Sequence, residues 1–490
     1  MLALAMLAAA PAPPQPLPAP GAPVTAPIAP PPQISPVGPI TLTASQVELL
    51  RHALAEADTH GFAPDQFTPP GLDAQLQSRD PAARHAGESE LVAAALRYAE
   101  AVHAGRLAPA DFLNEWGLRP APYDPTPDFT AAVAADSIGA WLDSLPPPYT
   151  GYEALRTALA RYREIAAHGG WRAVPDGPPL QRGVSDPRVV ALRSRLAVED
   201  PTVVAGKSRL FDDSLTAAVA RAQRRYGLDP TGVVNGETLE ALNVPVADRI
   251  DQIIANMERW RWLPPSLPPD RVQVNIAAAV LTLFRNDAPT LSMKAVTGRP
   301  DDQTPMLQSQ IASIVLNPPW NVPPSIAAKE LWPKEHAHPG YLAKHDFRVI
   351  TNPDGTVRLQ QRAGPLAALG HVKFDFANKY GVYLHDTPTH GTFGKFARQD
   401  SHGCVRLEHP AALAKALMDG DAKWTPDLID QTIAQGDTTV RAPLPAPITV
   451  LLLYWTAFVG VDGQANFRAD PYGWDEALMQ RIAAAARRSA

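Results

Sequence analysis

From about residue 41 to 175, apolar positions recur at helical spacing, as in Ser45-Gln46-Val47-Glu48-Leu49-Leu50 and the alanine-rich run from Glu90 to His103, with Pro and Gly between segments. This predicts a helical scaffold, in which no cluster of reactive side chains stands out. Residues 183 to 243 predict a compact three-helix module. Val189, Leu192 and Leu196 form one apolar face, and Leu215, Ala218, Val219, Ala222 and Tyr226 another. Thr238 to Leu242 makes a short third helix after Asn235-Gly236. Gly227 suits a helix stop, and Asp229-Pro230-Thr231-Gly232 a turn. Between Arg249 and Trp262, Ile250, Ile253, Ile254, Met257 and Trp260 share one stripe that ends before Pro264-Pro265, which predicts a connecting helix packed on the scaffold.

At Arg271 the period changes. Val272-Gln273-Val274-Asn275-Ile276 alternates, and apolar, β-branched runs recur around Val280, Leu283, Ile311, Val315 and Val349. The β-rich pattern continues through Lys373-Phe374-Asp375-Phe376 and Val382-Tyr383-Leu384. Pro410 to Met418 then reads as a helix closed by Gly420, Ile448 to Tyr454 as an apolar strand, and Trp474 to Arg488 as a basic amphipathic helix. The predicted fold class is multi-domain α+β.

Length agrees, since 490 residues exceed one ordinary core and call for two to four packed units. The 54 prolines are about double the usual share of ~5%. They are dense over residues 11 to 40, which predicts an extended, polyproline-like tether. The first ten residues, MLALAMLAAA, are apolar and end in small residues, with no Lys or Arg before Arg51. They read as an export signal lacking its basic start, with an origin upstream of Met1 or a longer membrane anchor both open; as it stands the stretch is too short to span a bilayer. The net charge of -6 and the lack of a long basic run argue against nucleic acid as a partner.

Candidate chemistry centres on Cys404, the single cysteine. In an exported chain it has no disulfide partner, and its polar flank, Ser401-His402-Gly403, is a poor core sequence. His385 lies 19 positions earlier at a strand end, Tyr383-Leu384-His385-Asp386. A thiol needs a base or cation beside it to act as a nucleophile, and imidazole is the usual partner, so His385 and His402 are both candidates. Gly403 permits a turn that aims the Gly403 and Cys404 N–H groups at one point, as an oxyanion site requires, or simply permits a tight turn. Zinc is the competing reading, with His385, His402, Cys404 and either His371 or His390 as ligands, although the close ligand pairs of usual zinc motifs are missing.

The segment from His385 through Ser401-His402-Gly403-Cys404-Val405-Arg406 resembles the signature of the YkuD-type L,D-transpeptidases. Val382-Tyr383-Leu384-His385-Asp386-Thr387-Pro388 adds to the likeness, and Asn317-Pro318-Pro319-Trp320-Asn321-Val322-Pro323 is similar to an element of the large, multi-domain periplasmic branch. The likeness covers most of residues 271 to 470, while the helices around Ala222 to Leu242 resemble a small peptidoglycan-binding module.

The resemblance implies a β-rich catalytic domain with a capping segment near Trp320 to Gly364, Cys404 as nucleophile and His385 as base then acid. The His402-Gly403-Cys404 backbone would form the oxyanion site, and the Asp386 carbonyl would orient the imidazole. Ser401 and Arg406 match signature positions, and Tyr383, Trp320 and Asp386 are candidate substrate contacts. Relatives commonly carry Asn where Ala367 stands. The implied reaction forms 3→3 cross-links between peptidoglycan tetrapeptide stems in the periplasm, without cofactor or metal, and carbapenem-type β-lactams are the implied inhibitors. An L,D-carboxypeptidase, a wall-protein-attaching transferase and a non-catalytic wall-binding scaffold remain as alternatives. The expected division is export signal 1–10, tether 11–40, helical scaffold 41–182, peptidoglycan-binding module 183–246, connecting helix 247–265, catalytic domain 266–443 with its cap about 320–364, and a strand and helix completing the scaffold over 444–490.

Overall fold

A computed structural model describes residues 40–489. The export segment expected over residues 1–10, and all but the end of the tether, lie outside the described residues. Among the described residues no helix is long and apolar enough to cross a membrane.

The scaffold region is helical, and its helix starts follow local capping chemistry. Thr43 and Gln46 form a reciprocal capping box at Ala44–Ala55, and Asp80 caps Pro81–Ala104, which carries Pro at its first position. These helices enclose an apolar core that includes Leu50, Phe62, Leu91, Leu96, Phe129 and Trp141. The three-helix module comprises Arg188–Glu199, Asp213–Arg225 and Gly236–Asn243, with Asp212 and Asn235 capping the second and third. Both predicted faces are buried, and Gln223 fastens the following turn by donating to Val233 O and accepting from the Gly232 N–H.

The connecting helix, Val246–Trp260, differs from the one-stripe expectation. Its polar flank is buried too: Gln252 donates to Thr456 O and Arg468 O, and Asn256 donates to the Thr456 hydroxyl. Glu258 bonds Arg106 and Arg261, and Arg259 bonds Asp475. Paired polar groups at a junction mimic an exposed face in sequence, so amphipathic spacing alone misplaces this helix.

The β-rich region is built on twelve strands, taken here in chain order: β1 Arg271–Asn275, β2 Val280–Arg285, β3 Ala288–Gly298, β4 Leu307–Leu316, β5 Trp320–Asn321, β6 Phe347–Thr351, β7 Val357–Gln361, β8 Val372–Phe376, β9 Leu384–His385, β10 Gln399–Ser401, β11 Val405–Leu407 and β12 Val440–Leu453. Nine form one sheet in the order β10-β3-β11-β9-β8-β4-β12-β1-β2, and a further β3–β2 pairing returns the ladder on itself. β12 therefore lies inside this sheet, parallel to β1 and antiparallel to β4. This corrects the expectation that the strand beginning near Ile448 completes the scaffold. Its apolar run is buried between two strands, which a single segment cannot reveal. Trp474–Ser489 returns to the helical region, where Arg488 meets Asp111 at 2.6 Å.

The capping segment is inserted between β4 and β8. Strands β5, β7 and β6 form a separate small sheet, and Val322, Ala327, Leu331, Leu342 and Leu359 give the cap its own core.

Candidate active site

Strands β9 and β11 run parallel, with Val405 opposite Leu384 and Arg406 opposite His385, and the Val405 N–H donates to Tyr383 O at 3.0 Å. Alternation does the rest. Leu384, Val405 and Leu407 are fully buried on the core face. Tyr383, His385, Cys404 and Arg406 therefore project together from the other face. Lys373 joins them from β8, where it pairs directly with His385.

The Ser401–Cys404 turn is held from several sides. Gly403 has φ +103°, a conformation that disfavours a side chain, whereas an added Cβ would meet only ordinary contacts such as Gln303 O at 3.5 Å. Conformation, and not space, demands glycine there. The Ser401 hydroxyl donates to Cys404 O at 2.5 Å and accepts the Gly403 N–H at 3.2 Å, while the Thr304 hydroxyl donates to Gly403 O at 2.8 Å. Ser401 thus braces the turn, and it engages one of the two amides predicted for the oxyanion site.

His385 is buried, and its Nδ1 lies 2.5 Å from the Asp386 carbonyl. A carbonyl only accepts, so Nδ1 carries the proton and Nε2 presents its lone pair. Burial, then the positive charges of Arg406 and Lys373, hold this imidazole down at about 3, against the support of the Asp386 and Leu369 carbonyls. Cys404 is half-buried. Burial pushes its thiol up, opposed by hydrogen bonds from the Tyr383 amide and hydroxyl and by the charges of Lys373 and Arg406. At neutral pH the resting pair is a neutral thiol and a neutral imidazole.

Tyr383 touches the sulfur and also accepts a hydrogen bond from the Trp320 indole of the cap. Lys373 Nζ sits 4.2 Å from the Tyr383 ring centroid. His402 turns toward the cap, its Nε2 2.5 Å from Glu330 Oε1. The Asp386 carboxylate does not face the thiol: it accepts the N–H groups of His371 at 2.8 Å and Thr387 at 2.7 Å. Of the alternative zinc ligands, His371 is bonded to Asn317 and His390 lies on a separate short turn.

Sequence reasoning missed Lys373, Glu330 and Gln361. Lys373 carried a signal, because it alternates with the buried Phe374 and Phe376. Gln361 is buried and binds His345 O, Leu366 O and the Ala368 N–H, so it fastens the loop around Ala367. That loop supplies the Leu369 carbonyl beside His385, and Gln361 makes its bonds where Ala367 has no polar side chain.

Comparison with known proteins adds three family matches. Residues 269–429 match the model described as the L,D-transpeptidase catalytic domain, residues 40–159 a scaffold domain, and residues 185–242 a "Putative peptidoglycan binding domain". A curated protein of Haemophilus influenzae named "Putative L,D-transpeptidase" is 31% identical over 243 residues, covering 46% of this chain and 48% of that one. The chain thus spans about half the length of that relative. Among solved structures, an L,D-transpeptidase from Xylanimonas cellulosilytica is 18% identical over 57% of this chain and 99% of its own, with a TM-score of 0.21. One from Stackebrandtia nassauensis is 13% identical over 58% and 97%, with a TM-score of 0.22.

Proposed function

With an L,D-transpeptidase catalytic domain over residues 269–429 and a peptidoglycan-binding domain over 185–242 as premise, we propose that this protein forms 3→3 peptidoglycan cross-links through a thioester on Cys404. The observation that carries the proposal is the shared face of β9 and β11, which places the Cys404 thiol on the same side of the sheet as the His385 imidazole, whose Nδ1 is tied to a backbone carbonyl.

In the first half-reaction His385 Nε2 takes the Cys404 proton as sulfur attacks the carbonyl carbon of the third stem residue. Because the resting pair is neutral, this transfer accompanies attack instead of preceding it. Negative charge gathers on the acyl oxygen, where the Cys404 N–H is the principal donor because Ser401 Oγ already holds the Gly403 N–H. The intermediate collapses as the C–N bond to the terminal D-alanine breaks, and the imidazolium returns the proton to the leaving amine. A side-chain amine of a second stem then attacks the thioester, gives its proton to His385 and releases the thiol.

Arg406 places positive charge beside the thiol, suited to a stem carboxylate, Lys373 adds to that field while ion-paired with Asp375 at 2.7 Å, and Tyr383 and Trp320 line the cap side. The binding domain would keep the chain on its polymer, in the periplasm. Intact-mass measurement with imipenem tests the site: one covalent adduct on the wild type and none on Cys404→Ala. A wild type that takes no adduct contradicts the acyl-transfer reading and leaves the binding scaffold in its place.

A further inference from the structure

The cap and the nucleophile turn are joined by a contact that the reaction above does not use. Ala327–Leu331 is a single π-helical turn between two short α-helical segments, Pro324–Ile326 and Trp332–Ala337. Such turns insert one extra residue into a helix and so rotate what each side of it presents. Ala327 and Leu331 are buried in the cap core, and between them Glu330 reaches out of the cap to His402. The link spans 72 residues of sequence, and His402 stands two positions before the nucleophile.

Around this contact the geometry is convergent. Arg299 Nη2 lies 3.8 Å from the same Glu330 oxygen, and Arg299 Nε is held by Asp302 at 2.5 Å. The Arg299 backbone N–H in turn donates to Ser401 O at 3.0 Å. Ser401 and His402 are thereby fixed from outside the turn, by Arg299 just beyond β3 on one side and the cap on the other. Peptide torsions at His402 and Gly403 set where the Cys404 N–H points, and Gly403, at φ +103°, offers little resistance of its own to a change.

We propose that Glu330 is a positioning residue: by holding the His402 imidazole it keeps the Ser401–Cys404 turn in the form that aims the Cys404 amide at the acyl oxygen. Closing the cap and completing the anion site then become one event. The inference rests on the acyl-transfer reading, and it adds a role for a cap residue that touches neither the sulfur nor the base.

Two reagents separate positioning from access. Opening of a β-lactam by the thiol places charge on an acyl oxygen and needs the aimed amide, whereas alkylation by iodoacetamide needs a reachable, ionisable thiol and no donor to an acyl oxygen. Loss of one anion-site donor costs about 10²–10³ in rate, and a misplacement of about 1 Å costs up to about 10²-fold, so a smaller tilt of a donor that is still present costs less. For Glu330→Ala the account expects imipenem acylation, followed by intact mass, to slow about tenfold or more, with iodoacetamide labelling of Cys404 within about twofold of wild type. Glu330→Gln keeps an oxygen that accepts the His402 N–H, and should restore acylation to within about threefold of wild type.

Acylation of Glu330→Ala at the wild-type rate overturns the inference. So does a parallel change in both reactions, which would make Glu330 a gate or a fold-stabilising residue. Failure of Glu330→Gln to restore acylation overturns it as well. A wild-type thiol that alkylates but never acylates removes the acyl-transfer reading and this inference with it.

Discussion

Tyr383 and His385 sit two apart on one strand face and act on the sulfur in opposite ways. The Tyr383 hydroxyl donates to it and favours the thiolate, while His385, held down at about 3 by burial and two cations, leaves its lone pair free at neutral pH. Tyr383→Phe should therefore move the midpoint of the alkylation pH profile upward by about one unit, the size of one lost hydrogen bond to an anion. An unmoved midpoint would show that the hydroxyl serves only the cap. His385→Gln should slow imipenem acylation by about 10²–10⁴, the usual worth of a positioned base. Retained acylation would pass the role of base to another group. At this scale the sequence was informative about identity and poor about partners. Ser-His-Gly-Cys and His385 were recognisable from residue types alone. Glu330 carries no mark of its role, because its partner is 72 positions away and belongs to another subdomain.

Elements with one buried face were readable, and those whose polar side is also covered were not. The module of Arg188–Glu199 and its neighbours shows its core in its spacing, since the opposite sides meet solvent. Val246–Trp260 hides a junction behind an amphipathic stripe. Strand β9 was legible from Val382-Tyr383-Leu384, but β11 is only three residues long, and only the pairing of the two shows which side chains meet. The loop around Ala367 is a testable case at this scale. Gln361 makes three hydrogen bonds in a buried setting, and Gln361→Ala should cost about 2–3 kcal/mol and loosen Leu369 beside His385. Amide hydrogen exchange over residues 364–370 would report it. Unchanged protection there would mean that other contacts hold the loop.

Across the whole molecule, buried charge ties the helical region to the rest. Glu258 is fully buried between Arg106 and Arg261, with contacts of 3.0 and 2.8 Å. Glu258→Ala would strand two guanidinium groups and should cost about 3–5 kcal/mol, seen as an earlier transition in urea. An unmoved transition would mean that water reaches the site.

Acid should act most strongly through two histidines, with half-buried His103 adding in the same direction. His60 is held down at about 3 by burial, then by Arg156 and Arg261, and His385 by burial, then by Arg406 and Lys373. Both folded-state values lie below the unfolded value of about 6.5. Between pH 6.5 and about 3 the unfolded chain binds protons that the folded one refuses, so stability falls as pH falls, by about 1.4 kcal/mol per unit for each group. From pH 6.5 to 5 the joint loss is about 3 kcal/mol, and double replacement of His60 and His385 should flatten that slope. A slope unchanged by the replacements would place the acid sensitivity elsewhere.

The central claim is acyl transfer from the Cys404 thioester to an amine, and product mass spectrometry on purified disaccharide-tetrapeptide tests it most directly. The account predicts a Cys404-dependent dimer with the mass of two stems less one D-alanine, fragmenting as a 3→3 link. Tripeptide alone, or unchanged tetrapeptide with a thiol known to be reactive, would contradict it.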